Sequence, residues 1–97
     1  MADKPSYRLI CYDIRSPKRL VKVHKVACGY AMPLQLSVFF GELTQGDVDA
    51  LCAELSEIID PKKDDVRIYG VTSIEKAVLL GTPRLPKAAY EKVKLLL

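Results

Sequence analysis

Tyr7-Arg-Leu-Ile-Cys-Tyr-Asp13 is the stretch around which the rest of the chain must be arranged. It reads as a strand that ends in one carboxylate. Alternation puts Tyr7, Leu9, Cys11 and Asp13 on one side and Arg8, Ile10 and Tyr12 on the other. Neither side is cleanly polar, and a strand apolar on both sides needs cover on both. Helices can supply one cover. In a chain of 97 residues the expected second cover is another copy of the same chain.

The residues that follow open a helix. Ser16-Pro17 offers an N-cap and a proline at the first helical position, where its missing N–H costs nothing. The helix is expected to run to about Cys28, with Leu20, Val23 and Ala27 as its apolar stripe. Gly29 then supplies a residue that tolerates positive φ. Arg15, Lys18, Arg19, Lys22 and Lys25 line this helix and the turn leading into it, and no acid interrupts them. Residues 30–35, containing Pro33, read as a short or edge strand, and 36–43 as a better one. Thr44-Gln-Gly-Asp47 resembles a capping box with Asp in place of the usual Glu. Val48, Leu51, Cys52, Leu55, Ile58 and Ile59 then follow a helical period. The charges of this second helix are all acidic: Asp47, Asp49, Glu54, Glu57 and Asp60. After a polar turn, Val66 to Val71 is a further strand. Residues 75–81 read as one more, and 82–97 as a proline-containing loop and tail.

Strand, helix, two strands, helix, strand is an α+β order. It closes naturally as a ferredoxin-like βαββαβ sandwich with both helices on one face of an antiparallel sheet. The domain so defined is 1–81. The extra C-terminal strand 75–81 extends an edge, its own or that of a homodimer partner.

Composition narrows the functional classes. Net charge is only +3, so the distribution of charge says more than its sum. Three cysteines, Cys11, Cys28 and Cys52, form no C-x-x-C pair, and one histidine, His24, has no clustered companions. Small buried hydrophobes in a reducing cytoplasm are the expectation, with no zinc site. The first residues lack an apolar signal core and no run approaches a membrane span, so a soluble, cytoplasmic protein with no membrane partner is expected. His24 is expected at the helix surface or half-buried.

Asp13 is the candidate catalytic and metal-ligating residue. A carboxylate at a strand end beside a two-fold interface would meet its symmetry mate, and two such groups repel unless a cation or proton lies between them. Mg²⁺ suits hard oxygen ligands and would activate water against a phosphodiester. The alternative is that Asp13 caps the loop before the first helix by accepting backbone N–H bonds. Arg15, Lys18, Arg19 and Lys22 are candidate contacts to a nucleic-acid backbone, or else an ordinary solvated face.

The ordered set Tyr12-Asp13-Ile14, the basic helix, Gln35-Leu-Ser-Val-Phe39, Ile59-Asp60-Pro61 and Asp65-Val-Arg-Ile-Tyr69 resembles CRISPR-associated protein 2. The resemblance covers nearly the whole chain to about Gly81. It implies a homodimer whose last strand pairs with the partner's sheet. It further implies a role in spacer acquisition, bridging two dimers of the CRISPR integrase subunit, with the double-stranded DNA to be inserted lying across the bridge. Some members of the family have been assigned metal-dependent endonuclease activity on RNA or DNA, with Asp13 here as the Mg²⁺ ligand. Two positions depart from the family pattern: Pro33 stands where a basic residue is frequent, and Phe40 where Glu is frequent. A toxin-like ribonuclease or a small regulatory dimer of the same fold, without an integrase partner, is the remaining class.

Overall fold

The computed structural model describes residues 3–72, 77, 78, 80 and 81. The elements in chain order are β1 (Ser6–Asp13), α1 (Pro17–Cys28), β2 (Met32–Gln35), β3 (Val38–Leu43), α2 (Gln45–Ser56) and β4 (Asp65–Gly70). The sheet has the order β2-β3-β1-β4, and every neighbouring pair is antiparallel. Two βαβ crossovers are thus interleaved, each skipping one strand, with the first strand made at the sheet's centre. This is the βαββαβ plan expected of the α+β order. Residues 75–81 as a strand, and the tail 82–97, lie outside the described residues apart from Ala77, Val78, Leu80 and Gly81.

The core is one layer between the sheet and the two helices. Ile68, Ile10, Phe39 and Pro33 form a row across the four described strands, because Ile10 pairs with both Ile68 and Phe39, and Phe39 with Pro33. Ile10 and Phe39 are fully buried, against Val23 and Ala27 of α1 and Val48, Leu51 and Leu55 of α2. Burying each such side chain stabilises the fold by roughly 1.5–3 kcal/mol.

The helix starts follow their local chemistry. Ser16 accepts from the Arg19 N–H at 3.4 Å. At α2, Thr44 Oγ1 accepts from the Asp47 N–H at 3.0 Å, while Asp47 Oδ2 accepts from the Thr44 N–H at 2.9 Å, so the capping box closes with Asp in the third position. Asp3 adds acceptors for the N–H groups of Gln45 and Gly46, and those bonds hold its carboxyl below the usual carboxylate range.

Several expectations are corrected. Gly29 has φ −76°, ordinary right-handed backbone, so positive φ is not why glycine stands there. A Cβ at Gly29 would lie 3.3 Å from the Val26 carbonyl oxygen. Leu20 is half-exposed, and Val26 shares the buried stripe with Val23 and Ala27. Cys28 and Cys52 are exposed, not buried. The β2–β3 turn takes Leu36 and Ser37, so β3 starts at Val38.

Candidate nucleic-acid interface and carboxylate site

Among the described residues, nothing covers the sheet face away from the helices. Tyr69, Leu9, Phe40 and Met32 run across it as a row in register, with Tyr7 stacked on Phe40 at 5.4 Å between ring centroids. Phe40 therefore enlarges an apolar surface at a position where the resemblance led to the expectation of an acid. A second row is Arg67, Cys11 and Val38. Burial pushes the half-covered Cys11 thiol up from its ordinary value.

Asp13 stands at the border of this face, directly opposite Asp65 on β4. Facing residues of an antiparallel pair have Cβ atoms about 5 Å apart, and like charges there repel. Each carboxylate has its own cation: Arg15 Nη2 lies 3.4 Å from Asp13 Oδ2, and Arg67 Nε lies 3.0 Å from Asp65 Oδ2. The Asp13 side chain is 66% exposed. It accepts no backbone hydrogen bond among the described residues. The capping role open to Asp13 is filled instead by Asp64, which accepts from the Arg15 N–H at 2.9 Å.

Asp64 has a fully buried side chain and three further bonds: from Arg19 Nε at 2.7 Å, Arg19 Nη2 at 3.1 Å and the Asp60 N–H at 2.8 Å. The fork from Arg19, aided by the backbone N–H groups, overcomes burial and holds this carboxyl well below the usual carboxylate range. Arg19 in turn is held charged by Asp64. Its side chain is only 26% exposed. The four candidate phosphate contacts therefore fall into different places. Lys18 and Lys22 lie on the exposed side of α1 with Lys25, one or two turns apart. Arg15 is paired with Asp13, and Arg19 points inward to Asp64.

Beside Asp13, α1 and the β2–β3 turn enclose an open cleft of about 460 Å³. Its walls include Tyr12, Leu20, Val21, His24 and Leu36. Tyr12 Oη donates to the Leu36 carbonyl at 3.1 Å and lies 3.0 Å from His24 Nδ1. Burial pushes the Tyr12 hydroxyl up to about 12. His24 is half-buried, edge-on to Phe39 at 5.2 Å. It ties helix to sheet, and no group of three or more His, Cys, Asp or Glu able to hold a metal occurs among the described residues.

Residues 6–77 match the profile of the family described as CRISPR associated protein Cas2. The chain belongs to the Cas2 family. A Nitrosomonas europaea relative, named CRISPR-associated endoribonuclease Cas2, is 34% identical over 79 residues, covering 81% of this chain and 75% of the relative. A Thermotoga maritima Cas2 of the same designation is 40% identical over 67 residues, 69% of this chain and 76% of the relative. The fold superimposes on Streptococcus pyogenes Cas2 with TM-score 0.70 and 30% identity, covering 77% of this chain and 99% of that one. A hypothetical protein of Thermus thermophilus gives TM-score 0.75 at 29% identity, over 84% of this chain and 98% of that one. No helix among the described residues is long and apolar enough to cross a membrane.

Two residues beside the candidate carboxylate, Asp64 and Asp65, were not singled out as site residues from the sequence. The strand period carries a signal for both: Asp64 is in phase with the inward Val66 and Ile68, and Asp65 with the outward Arg67 and Tyr69.

Proposed function

We propose that two copies pair through the open sheet face, and that the homodimer holds nucleic acid along the exposed cations of α1. In CRISPR adaptation it serves as the bridge between integrase dimers, in the cytoplasm, with the DNA duplex of the new spacer lying across it. The observation that carries this reading is the division of the surface. The Tyr69–Leu9–Phe40 row is an apolar face for protein, and Lys18, Lys22 and Lys25 form an acid-free helix face for phosphates. Duplex binding is expected to weaken steeply with salt. Charge reversal of Lys18 and Lys22 should lower the slope of log K against log salt by about one for each phosphate no longer neutralised. An unchanged slope in the double reversal rejects the α1 surface. Co-purification with the integrase subunit tests the bridge itself.

A second reading is favoured by the exposed position of Asp13 and by the endoribonuclease designation of the relatives: Mg²⁺-dependent cleavage of RNA or DNA. One chain supplies few ligands, which fits Mg²⁺, an ion held by one or two carboxylates, waters and substrate phosphates. Asp13 and its symmetry mate would hold it, and when bound it supplies a water activated against the phosphodiester. Arg15, beside Asp13, then has a substrate phosphate to pair with. Asp13→Asn and a chelator should each abolish cleavage while the dimer persists. Full activity in purified Asp13→Asn removes Asp13 from the chemistry.

A further inference from the structure

We propose that Asp64 is a positioning residue: it sets the loop that presents Asp13, and it withdraws Arg19 from the phosphate-binding surface. The catalytic arm of this inference rests on the second reading above; the positional arm does not.

The geometry is specific. Asp64 and Asp65 are adjacent in sequence and face opposite sides of the sheet. Asp65 is the register partner of Asp13, the last residue of β1. Asp64 Oδ1 receives the N–H of Arg15, two residues beyond Asp13. The loop leaving β1 is therefore held on one side by the strand ladder and on the other by a buried carboxylate. That carboxylate is itself fixed by the planar fork of Arg19 from the first turn of α1 and by the N–H of Asp60. Four donors converge on one carboxylate with no exposed surface, so a change in any of them moves the loop. Arg15 reaches Asp13 from this loop, so the Asp13–Arg15 pair inherits its placement from Asp64. Arg19 is committed to Asp64, and a phosphate would have to compete with a bidentate ion pair sheltered from water.

Three variants separate positioning from general stability: Asp64→Asn, Arg19→Lys and, as a control away from the loop, Val48→Ala in α2. All are studied at a temperature where each is folded by circular dichroism. Hydrogen exchange of the Arg15 amide, read by NMR in the free protein, should be at least tenfold faster in Asp64→Asn than in Val48→Ala. Should Asp64→Asn fail to fold, Arg19→Lys, which keeps the charge and loses the fork, carries the same measurement. With Mg²⁺ and RNA, Asp64→Asn should lower kcat at least tenfold and leave the nucleic-acid Kd within twofold, whereas Val48→Ala changes neither. In duplex binding, Arg19→Gln should leave the salt slope unchanged and Lys22→Gln should reduce it by about 1. Arg15 exchange no faster than in the control overturns the positioning role. A slope that falls equally for Arg19→Gln and Lys22→Gln overturns the withdrawal of Arg19. If the wild type neither cleaves nor binds, the proposed function fails, while Arg15 exchange still decides the role of Asp64.

Discussion

Asp64 makes the Asp13 loop sensitive to acid. Its depressed folded value means that, as pH falls below about 4, the unfolded chain takes up a proton on this residue that the folded chain refuses. The stability it contributes is fully present above that pH. It shrinks through the acid range and is gone only below the folded value. Urea midpoints between pH 6 and pH 2 should fall with pH, and Asp64→Asn should flatten that fall. Tyr12 works in the opposite direction. Its hydroxyl, raised to about 12, stays neutral when folded, so the stability it contributes is intact below pH ~10 and lost as pH rises through the folded value. At this scale the sequence was only partly legible. Asp13 could be singled out because it ends a strand before a basic helix. The destination of Arg19 could not be read from charge alone. Its spacing does betray it, for it stands one turn before the buried Val23 and two before Ala27.

The helices were the most legible elements, because their starts are written in local chemistry. Ser16-Pro17 and Thr44-x-x-Asp47 set both beginnings as expected. Thr44→Ala opens the capping box of α2 and should cost about 1 kcal/mol, measurable as a lower urea midpoint. The β2–β3 hairpin was less legible, since its turn consumes apolar residues, Leu36 among them, that look like strand. A close approach occurs at Gly41 of β3, where a Cβ would meet the Ala31 Cβ at 2.9 Å. Gly41→Ala should therefore destabilise the fold despite the better intrinsic propensity of alanine, and a rise in melting temperature would contradict the close approach. The acid-free character of α1 was legible in its residue types. Which of its cations face outward depends on α1 docking beside Asp64, a contact between residues 45 positions apart.

At the scale of the whole molecule, βαββαβ order was enough to foresee one helical layer and one open sheet face. The two apolar sides of Tyr7–Asp13 foretold that β1 would want cover on both. What it could not foresee is how apolar the open face becomes once register lines up Tyr69, Leu9, Phe40 and Met32 in one row. Phe40→Asp places a charge in that row without touching the helix-side core. It should leave circular dichroism unchanged and weaken dimerisation at least tenfold by light scattering across concentration. An unaltered dimer in Phe40→Asp would put the pairing surface elsewhere.

The strand order has a consequence for synthesis. β1 is made before the other described strands, yet it sits at the centre of the sheet, and both strands that flank it come later. β3 closes one edge only after α1 and β2 have been made, and β4 closes the other near the end of the described chain. Until then the Leu9–Tyr12 backbone offers unpaired donors and acceptors along an apolar segment, the condition under which nascent chains pair with the wrong neighbour. The loop after Asp13 waits equally long for its anchor, since residue 64 follows it by roughly fifty positions. Slowing translation before β4 should therefore raise the aggregated fraction, and holdase chaperones should bind stalled chains that end before Asp64.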